Sequence, residues 1–157
     1  MINFRKAKPN EANLISALAI NSKAYWGYSI KFMEACKAEL THTPTELANE
    51  DYIYNVAVKG QSIIGFYKLE NICQDTIILE ALFINPSMIG SGLGRALYEH
   101  AKQACLVKGA LYIEVQSDPN AEGFYKALGL NVTGKTQSGS IAGRFLPTLR
   151  AAISHSS

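Results

Sequence analysis

One stretch limits what this chain can fold into more than any other: Thr76 to Lys108, TIILEALFINPSMIGSGLGRALYEHAKQACLVK. Its first part, Ile77 to Ile84, is an apolar run of the length of a strand buried on both faces. Asn85 and Pro86 turn the chain, and Gly90-Ser91-Gly92-Leu93-Gly94-Arg95 makes a glycine-rich corner. Behind it, Leu93, Ala96, Leu97, Ala101, Ala104 and Cys105 repeat with the 3.6-residue period of a helix packed along one stripe. Lys108-Gly109 closes that helix, a cation in the last turn and then a residue free to take the left-handed cap.

Strand, glycine corner and helix start in this order have a physical use. The first amides of a helix lack partners inside it, and the helix dipole adds partial positive charge there. Glycines remove the Cβ atoms that would hold a ligand away, which leaves a socket for phosphate or pyrophosphate. A plain turn that needs positive φ angles has the same look, so the corner alone does not decide. A dinucleotide fingerprint fails, because the third glycine comes one residue early and the corner lies in the second half of the chain, where that motif follows the first strand. A P-loop fails as well, because Arg95-Ala96 follows Gly94 where Lys-Ser/Thr is required.

Around this centre the chain reads as an α/β protein. Ile2–Ala7 is a short strand, and Pro9-Asn10-Glu11 opens a helix that ends near Ala24, with Asn10 as its cap and Leu14, Ile15, Leu18 and Ala19 as its apolar stripe. Tyr25-Trp26-Gly27-Tyr28 is an aromatic loop, and a second helix runs from the cap Ser29 to Leu40 with Phe32, Met33, Cys36 and Leu40 on one face. Thr41–Asp51 is polar and irregular. Tyr52–Lys59 and Ser62–Leu69 pair as a hairpin across Lys59-Gly60-Gln61 and lead into the central strand. Leu111–Gln116 is then a strand parallel to Ile77–Ile84, since a helical crossover joins the two. Asp118 or Asn120 caps a further helix that stops at Gly129, Leu130–Thr133 opens a sixth strand, and a last strand runs to about Ala152. The expectation is one domain over 1–153 with a frayed tail at 154–157. Its sheet is mixed and mostly antiparallel, with six to seven strands, a parallel central pair that splays apart and about four flanking helices.

Two segments resemble one family. The corner, Ile89-Gly90-Ser91-Gly92-Leu93-Gly94, is similar to motif A of the GNAT superfamily, the GCN5-related N-acetyltransferases, whose signature is Gln/Arg-x-x-Gly-x-Gly/Ala. Both glycines fit; Ile89 stands where Gln or Arg is usual. Downstream, Asn120, a small residue, Phe124-Tyr125 and Leu128-Gly129-Leu130 resemble a second segment of that family. Ser138–Pro147 resembles the ending of one branch of small acetyltransferases. The likeness spans nearly the whole chain and is strongest from Leu79 to Leu130.

The resemblance implies the acyl-CoA N-acyltransferase fold and transfer of acetyl from acetyl-CoA to a primary amine. It implies that the amides from Ile89 through Gly90, Ser91, Gly92, Leu93 and Gly94 to Arg95 hold the pyrophosphate. Leu82, Phe83 and Ile84, where the parallel strands part, would pair with the pantetheine arm, and Asn120 would bind it from the other side. Tyr125 falls on the tyrosine that GNAT enzymes place beside the cofactor sulfur, which makes it the candidate general acid. Arg95 either supports the phosphates or pairs with Glu99 at i,i+4.

Acyl transfer to an amine also needs a base. Glu80 is the only charged residue between Ile77 and Ile84, and strict alternation would set it on one face with Ile78, Leu82 and Ile84. Partial burial would raise its pKa into the useful range. It can act directly or through water; Glu114, on the neighbouring strand, competes for the role. Trp26 and Tyr28 either line an acceptor pocket or seal the edge of the core, and the family places the acceptor side there, which favours a small-molecule amine. A non-catalytic acyl-CoA-binding sensor or interaction module on the same fold is the alternative.

Composition narrows the remainder. A net charge of +2 gives no field for nucleic acid or an anionic membrane. No apolar run reaches the roughly 18 residues of a membrane span, and Met1–Lys6 lacks the apolar core of a signal peptide. Cys36, Cys73 and Cys105 are too scattered for a metal site or a disulfide framework, and Cys36 and Cys105 fall on apolar faces. No metal is expected, and a reducing cytoplasm fits. His42, His100 and His155 form no cluster and read as surface residues. Homodimers are frequent among such folds, so self-association is left open.

Overall fold

The computed structural model describes residues 1–154. Seven strands form one sheet: β1 (Ile2–Lys6), β2 (Ile53–Lys59), β3 (Ser62–Glu70), β4 (Thr76–Ile84), β5 (Tyr112–Gln116), β6 (Asn131–Gln137) and β7 (Phe145–Ala152). They lie in the order β1-β2-β3-β4-β5-β7-β6, and only β4 and β5 run parallel. On one face lie α1 (Ala12–Ala24), α2 (Ile30–Leu40) and the short α3 (Pro44–Ala48); on the other lie α4 (Leu93–Val107) and α5 (Glu122–Ala127). Each face closes its own core. Leu69, Ile77, Leu79, Leu97, Ala101, Ile113 and Leu149 pack under α4, while Ile15, Ala19, Cys36, Leu40, Val56 and Phe66 pack under α1 and α2.

The elements follow from local chemistry. The Ser29 hydroxyl accepts from the Phe32 amide and starts α2. Asn10 does not cap the first helix: a single 3-10 turn, Pro9–Glu11, precedes α1 and is itself capped at Lys8. The polar stretch after α2 is less irregular than its composition suggests, because Thr43 and Glu46 form a reciprocal capping box that fixes α3. In α4 the buried stripe is Leu93, Leu97, Tyr98, Ala101, Cys105 and Leu106; Ala96 is exposed. Two histidines expected on the surface serve the interior instead. His42 is buried with Nδ1 2.7 Å from the Tyr54 hydroxyl, and His100 stacks on Phe4 with Nδ1 2.8 Å from the Tyr67 hydroxyl. His155 lies outside the described residues.

One irregularity positions the site. Lys68 pairs with Ala81 and Leu69 with Leu79, so Glu80 is an extra residue in β4. Such a bulge bends its strand and increases the local twist. The parallel pairing of β4 with β5 covers only Thr76–Ile78 against Tyr112–Glu114 and stops just before the bulge. The bulge also breaks the alternation assumed from sequence. Ile77 and Leu79 share the α4 face with Leu82 and Ile84, while Ala81 and Phe83 turn toward α1 and α2. Glu80 therefore does not share a face with Leu82 and Ile84. Nor is β4 sealed on both sides, because its second face opens into a cleft.

Candidate active site

The glycine corner is built as a main-chain surface. Asn85 Oδ1 accepts from the Ser87 amide and starts a 3-10 turn, Pro86–Met88. Gly90 (φ 83°) and Gly92 (φ 88°) then take left-handed conformations that other residues adopt at a cost. Three amides of the corner are satisfied within the protein: Ile89 by the Pro86 carbonyl, Ser91 by the Met88 carbonyl and Leu93 by the Ser91 hydroxyl at 3.3 Å. Those of Gly90, Gly92, Gly94 and Arg95 have no partner among the described residues. They stand at the positive end of the fifteen-residue α4. Gly94 is glycine for a packing reason, since a Cβ there would lie 3.1 Å from the Phe124 ring.

These amides open into a cleft of about 800 Å³. It runs from Ile89, Gly90, Gly92, Gly94 and Arg95 along β4 from Ile78 to Ile84, and ends beside Tyr25, Trp26 and Glu39. Val115 and Gln116 of β5, with Ser117 just after it, form its opposite bank where the two strands have parted. Leu82, Phe83 and Ile84 all line it. Ser91 and Leu93 do not: the Ser91 hydroxyl turns back to the Met88 carbonyl, and Leu93 enters the core. Arg95 is exposed at the rim, with no ion pair to Glu99 or to any other acid among the described residues.

Tyr125 reaches the cleft from α5 with its ring buried against Phe124. Burial pushes its phenol well above the usual range, so the hydroxyl stays protonated. Among the described residues it has no hydrogen-bond partner, which leaves its proton available to a ligand. Glu80 sits in the same cleft, crowded by protein but not sealed, with 35% of its side chain open to solvent. Burial raises its carboxyl, Lys68 draws it down, and Glu70, Glu46 and Glu39 push it up, to about 7. Glu114 is not part of the cleft wall; it pairs within the sheet opposite Ile78 and Arg150.

The far end of the cleft is held by a hub that sequence reasoning did not find. Asp118, at the end of β5, accepts from Lys23 of α1 (2.9 Å), the Tyr28 hydroxyl (2.9 Å) and Arg144 of the β6–β7 loop (3.4 Å). Burial acts to raise the Asp118 carboxyl, but hydrogen bonds from the Asn120 amide, Lys23 and Tyr28 outweigh it and hold it below the usual range. Tyr28 thus stands behind the wall as a strut, while Trp26 and Tyr25 line the cleft. Asn120 borders the cleft, yet its side-chain amide donates to Tyr28 (2.9 Å) and Asp118 (3.0 Å). Lys68 was missed too, although a lysine two residues from Phe66 in an apolar strand is a readable anomaly: it is 4% exposed and surrounded by glutamates.

A bulged central strand parting from its parallel neighbour, beside a helix whose first amides face the gap, defines a cleft for an extended ligand that ends in a diphosphate. The acetyltransferase (GNAT) domain profile matches residues 21–140, and the chain belongs to that family of acetyltransferases. It is 28% identical over 142 residues to a peptidyl-lysine N-acetyltransferase, YjaB, of Salmonella typhimurium, spanning 87% of this chain and 88% of the relative. The fold matches a PaiA N-acetyltransferase from Thermoplasma acidophilum solved with coenzyme A (TM-score 0.79, 20% identity, 98% of this chain and 99% of that one). It also matches a GCN5-related N-acetyltransferase from Rhodopseudomonas palustris (TM-score 0.79, 22% identity, 96% and 95%). No helix among the described residues is long and apolar enough to cross a membrane.

Proposed function

We propose that this cleft binds acetyl-CoA and that the protein transfers its acetyl group to a primary amine by direct attack in a ternary complex. The observation that carries the reading is the convergence of unpartnered corner amides, a protonated Tyr125 and a half-open Glu80 on one cleft. The amides of Gly90, Gly92, Gly94 and Arg95 suit a diphosphate, and the Arg95 side chain adds a cation beside it. The freed edge of β4 at Leu82–Ile84 suits the amides of a pantetheine arm. Acetyl-CoA, when bound, supplies the activated acyl group.

The chain's own residues then have two proton tasks. Glu80 takes a proton from the acceptor ammonium: an N–H bond breaks, an O–H bond forms, and the amine gains its nucleophilic lone pair. With its carboxyl near 7, Glu80 is about half ionised at neutral pH, which is where a general base works best. Tyr125 keeps its proton at any working pH and can give it to the departing thiolate: as the N–C bond forms and the C–S bond breaks, an S–H bond replaces the phenol O–H, and the second proton shed by the acylated nitrogen restores the phenol through water of the cleft. Cys36 and Cys105 are buried in the two cores and Cys73 lies on the surface, so no cysteine sits where it could carry the acyl group.

A small amine resting against Trp26 is the first acceptor reading. The second, favoured by the similarity to a peptidyl-lysine acetyltransferase, is a lysine side chain entering past Tyr25 and Trp26 toward Glu80. Calorimetry with coenzyme A, together with thiol release from acetyl-CoA over a panel of small amines and lysine peptides, tests both. Thiol release with peptides alone selects the second; tight binding with no release on any amine leaves a binding module.

A further inference from the structure

Among the described residues Lys68 is the least exposed charged residue, 4% exposed in the middle of the sheet. Three carboxylates converge on its ammonium: Glu70 of its own strand at 3.0 Å, Glu46 of α3 at 3.4 Å and Glu80 of β4 at 3.9 Å. Its Nζ also lies 4.2 Å from the centre of the Tyr52 ring and 5.5 Å from that of Tyr54. The β4 bulge makes the arrangement possible, because it sets Glu80 and Ala81 together across from Lys68. Two of the three carboxylates, Glu80 and Glu70, are on the cleft wall, and Lys68 itself is not.

We propose that Lys68 is the positioning residue that keeps Glu80 ionised against the other carboxylates of this wall. The proposal rests on Glu80 being the base. Acids face Glu80 from three elements, Glu70 on β3, Glu46 on α3 and Glu39 on α2, and each disfavours a second negative charge. Burial acts in the same direction. The other groups packed nearby are uncharged: Tyr52 and Tyr54 are phenols, and buried His42 is held neutral with its pKa down to about 4. Among the described residues Lys68 is the one cation acting on the group, and without it Glu80 would hold its proton through neutrality and could not accept the amine's. Lys68 cannot itself take that proton, since its carboxylate neighbours outweigh burial and hold it charged. It acts through Glu80 and touches no reacting atom.

The test uses the full chain with ¹³C-labelled glutamate. The Glu80 carboxyl resonance is assigned by its loss in Glu80→Gln, and its titration midpoint is read beside the pH dependence of kcat/KM. In Lys68→Met the midpoint and the acid limb of the rate both move up by about one pH unit or more. That is about a fivefold or greater loss of rate at pH 7, recovered as the pH is raised. In Lys68→Arg both stay near the native position. Glu70→Gln keeps Lys68 and its two other partners, so it gives a reading even if Lys68→Met does not fold; there the midpoint moves down. A midpoint that stays in place in folded Lys68→Met overturns the proposal while leaving Glu80 as base; where Lys68→Met does not fold, a midpoint that stays in place in Glu70→Gln overturns it, because the balance of charges on this wall then does not set Glu80. A midpoint that moves while Glu80→Gln keeps native turnover overturns the base assignment, and the role of Lys68 in turnover with it.

Discussion

At the corner end of the cleft, what faces a ligand is main chain: four amides from six consecutive residues, freed by two left-handed glycines and backed by one helix. At the aromatic end, the wall is made of side chains from α1, its following loop, α2, β3 and β4, with Gly139 between β6 and β7 beside them. The first arrangement is local in sequence and needs particular residue types only where a Cβ would intrude. The second exists only after folding, and its charges are balanced across segments as far apart as Lys23, Asp118 and Arg144. A site made of backbone is therefore robust to change except at its glycines, whereas a site made of side chains can be retuned one residue at a time.

The largest effect should come from breaking the backbone end. At Gly92 a β-branched side chain meets a φ of 88° that it adopts only with strain, so the corner must change its backbone to take it. Gly92→Val should weaken coenzyme A binding by about a thousandfold, of order 4 kcal/mol from strain and lost hydrogen bonds to a charged group. Calorimetry would show it, and retention of native affinity would mean that the corner is not the diphosphate site. Next comes Glu80→Gln, which should lower kcat by about a hundredfold at pH 7 and remove the acid limb of the rate profile. Coenzyme A affinity should stay within a few fold, since the two ends are built separately.

The same contrast explains what could be read from the sequence. The corner was legible because strand, glycines and helix are contiguous, and Tyr125 because Asn120, Phe124 and Leu128-Gly129-Leu130 surround it at fixed spacing. The parallel β4–β5 pair followed from one helical crossover. The bulge at Glu80 was not legible: periodicity assumes an unbroken pleat, and one extra residue reverses every face beyond it. The Asp118 hub was hidden because Lys23 and Tyr28 lie 90 and more residues away in sequence and Arg144 lies 26 away. His42 looked solvated for the same reason, since Tyr54, which meets its ring Nδ1, and Ser16, whose hydroxyl accepts from its main-chain amide, come from other elements.

Asp118→Asn sharpens the comparison at the side-chain end. It leaves Lys23 and Arg144 without a compensating charge in a site where the side chains are 13–17% exposed. The expected loss is about 2 kcal/mol of folding stability, between the range for surface pairs and that for buried ones, with an acceptor KM raised several fold and coenzyme A affinity unchanged. The Asp118 carboxyl lies lower folded than unfolded, so its contribution is present at neutral pH and is lost as pH falls through the folded value. Denaturant melts of wild type and variant should therefore converge only in acid, at and below the ordinary aspartate range. Tyr125→Phe should be milder, with turnover down about tenfold or more and coenzyme A affinity within a few fold; unchanged turnover would remove Tyr125 from the acid role.

The smallest effect tests whether the backbone end uses side chains at all. Arg95 is exposed and without an ion-pair partner among the described residues, so its charge is free to act on a diphosphate but is largely screened by water. Arg95→Ala should weaken coenzyme A binding only about two- to fivefold at low salt, roughly the range of exposed ion pairs. The difference from wild type should vanish near 0.5–1 M salt, where the screening length falls to about 3–5 Å. Dephospho-coenzyme A, which keeps the diphosphate and lacks the ribose phosphate, separates the two anionic groups: an unchanged ratio between variant and wild type places Arg95 at the diphosphate. A loss that equals that of Gly92→Val would mean instead that the guanidinium carries the binding, and the main-chain account of this end would have to be given up.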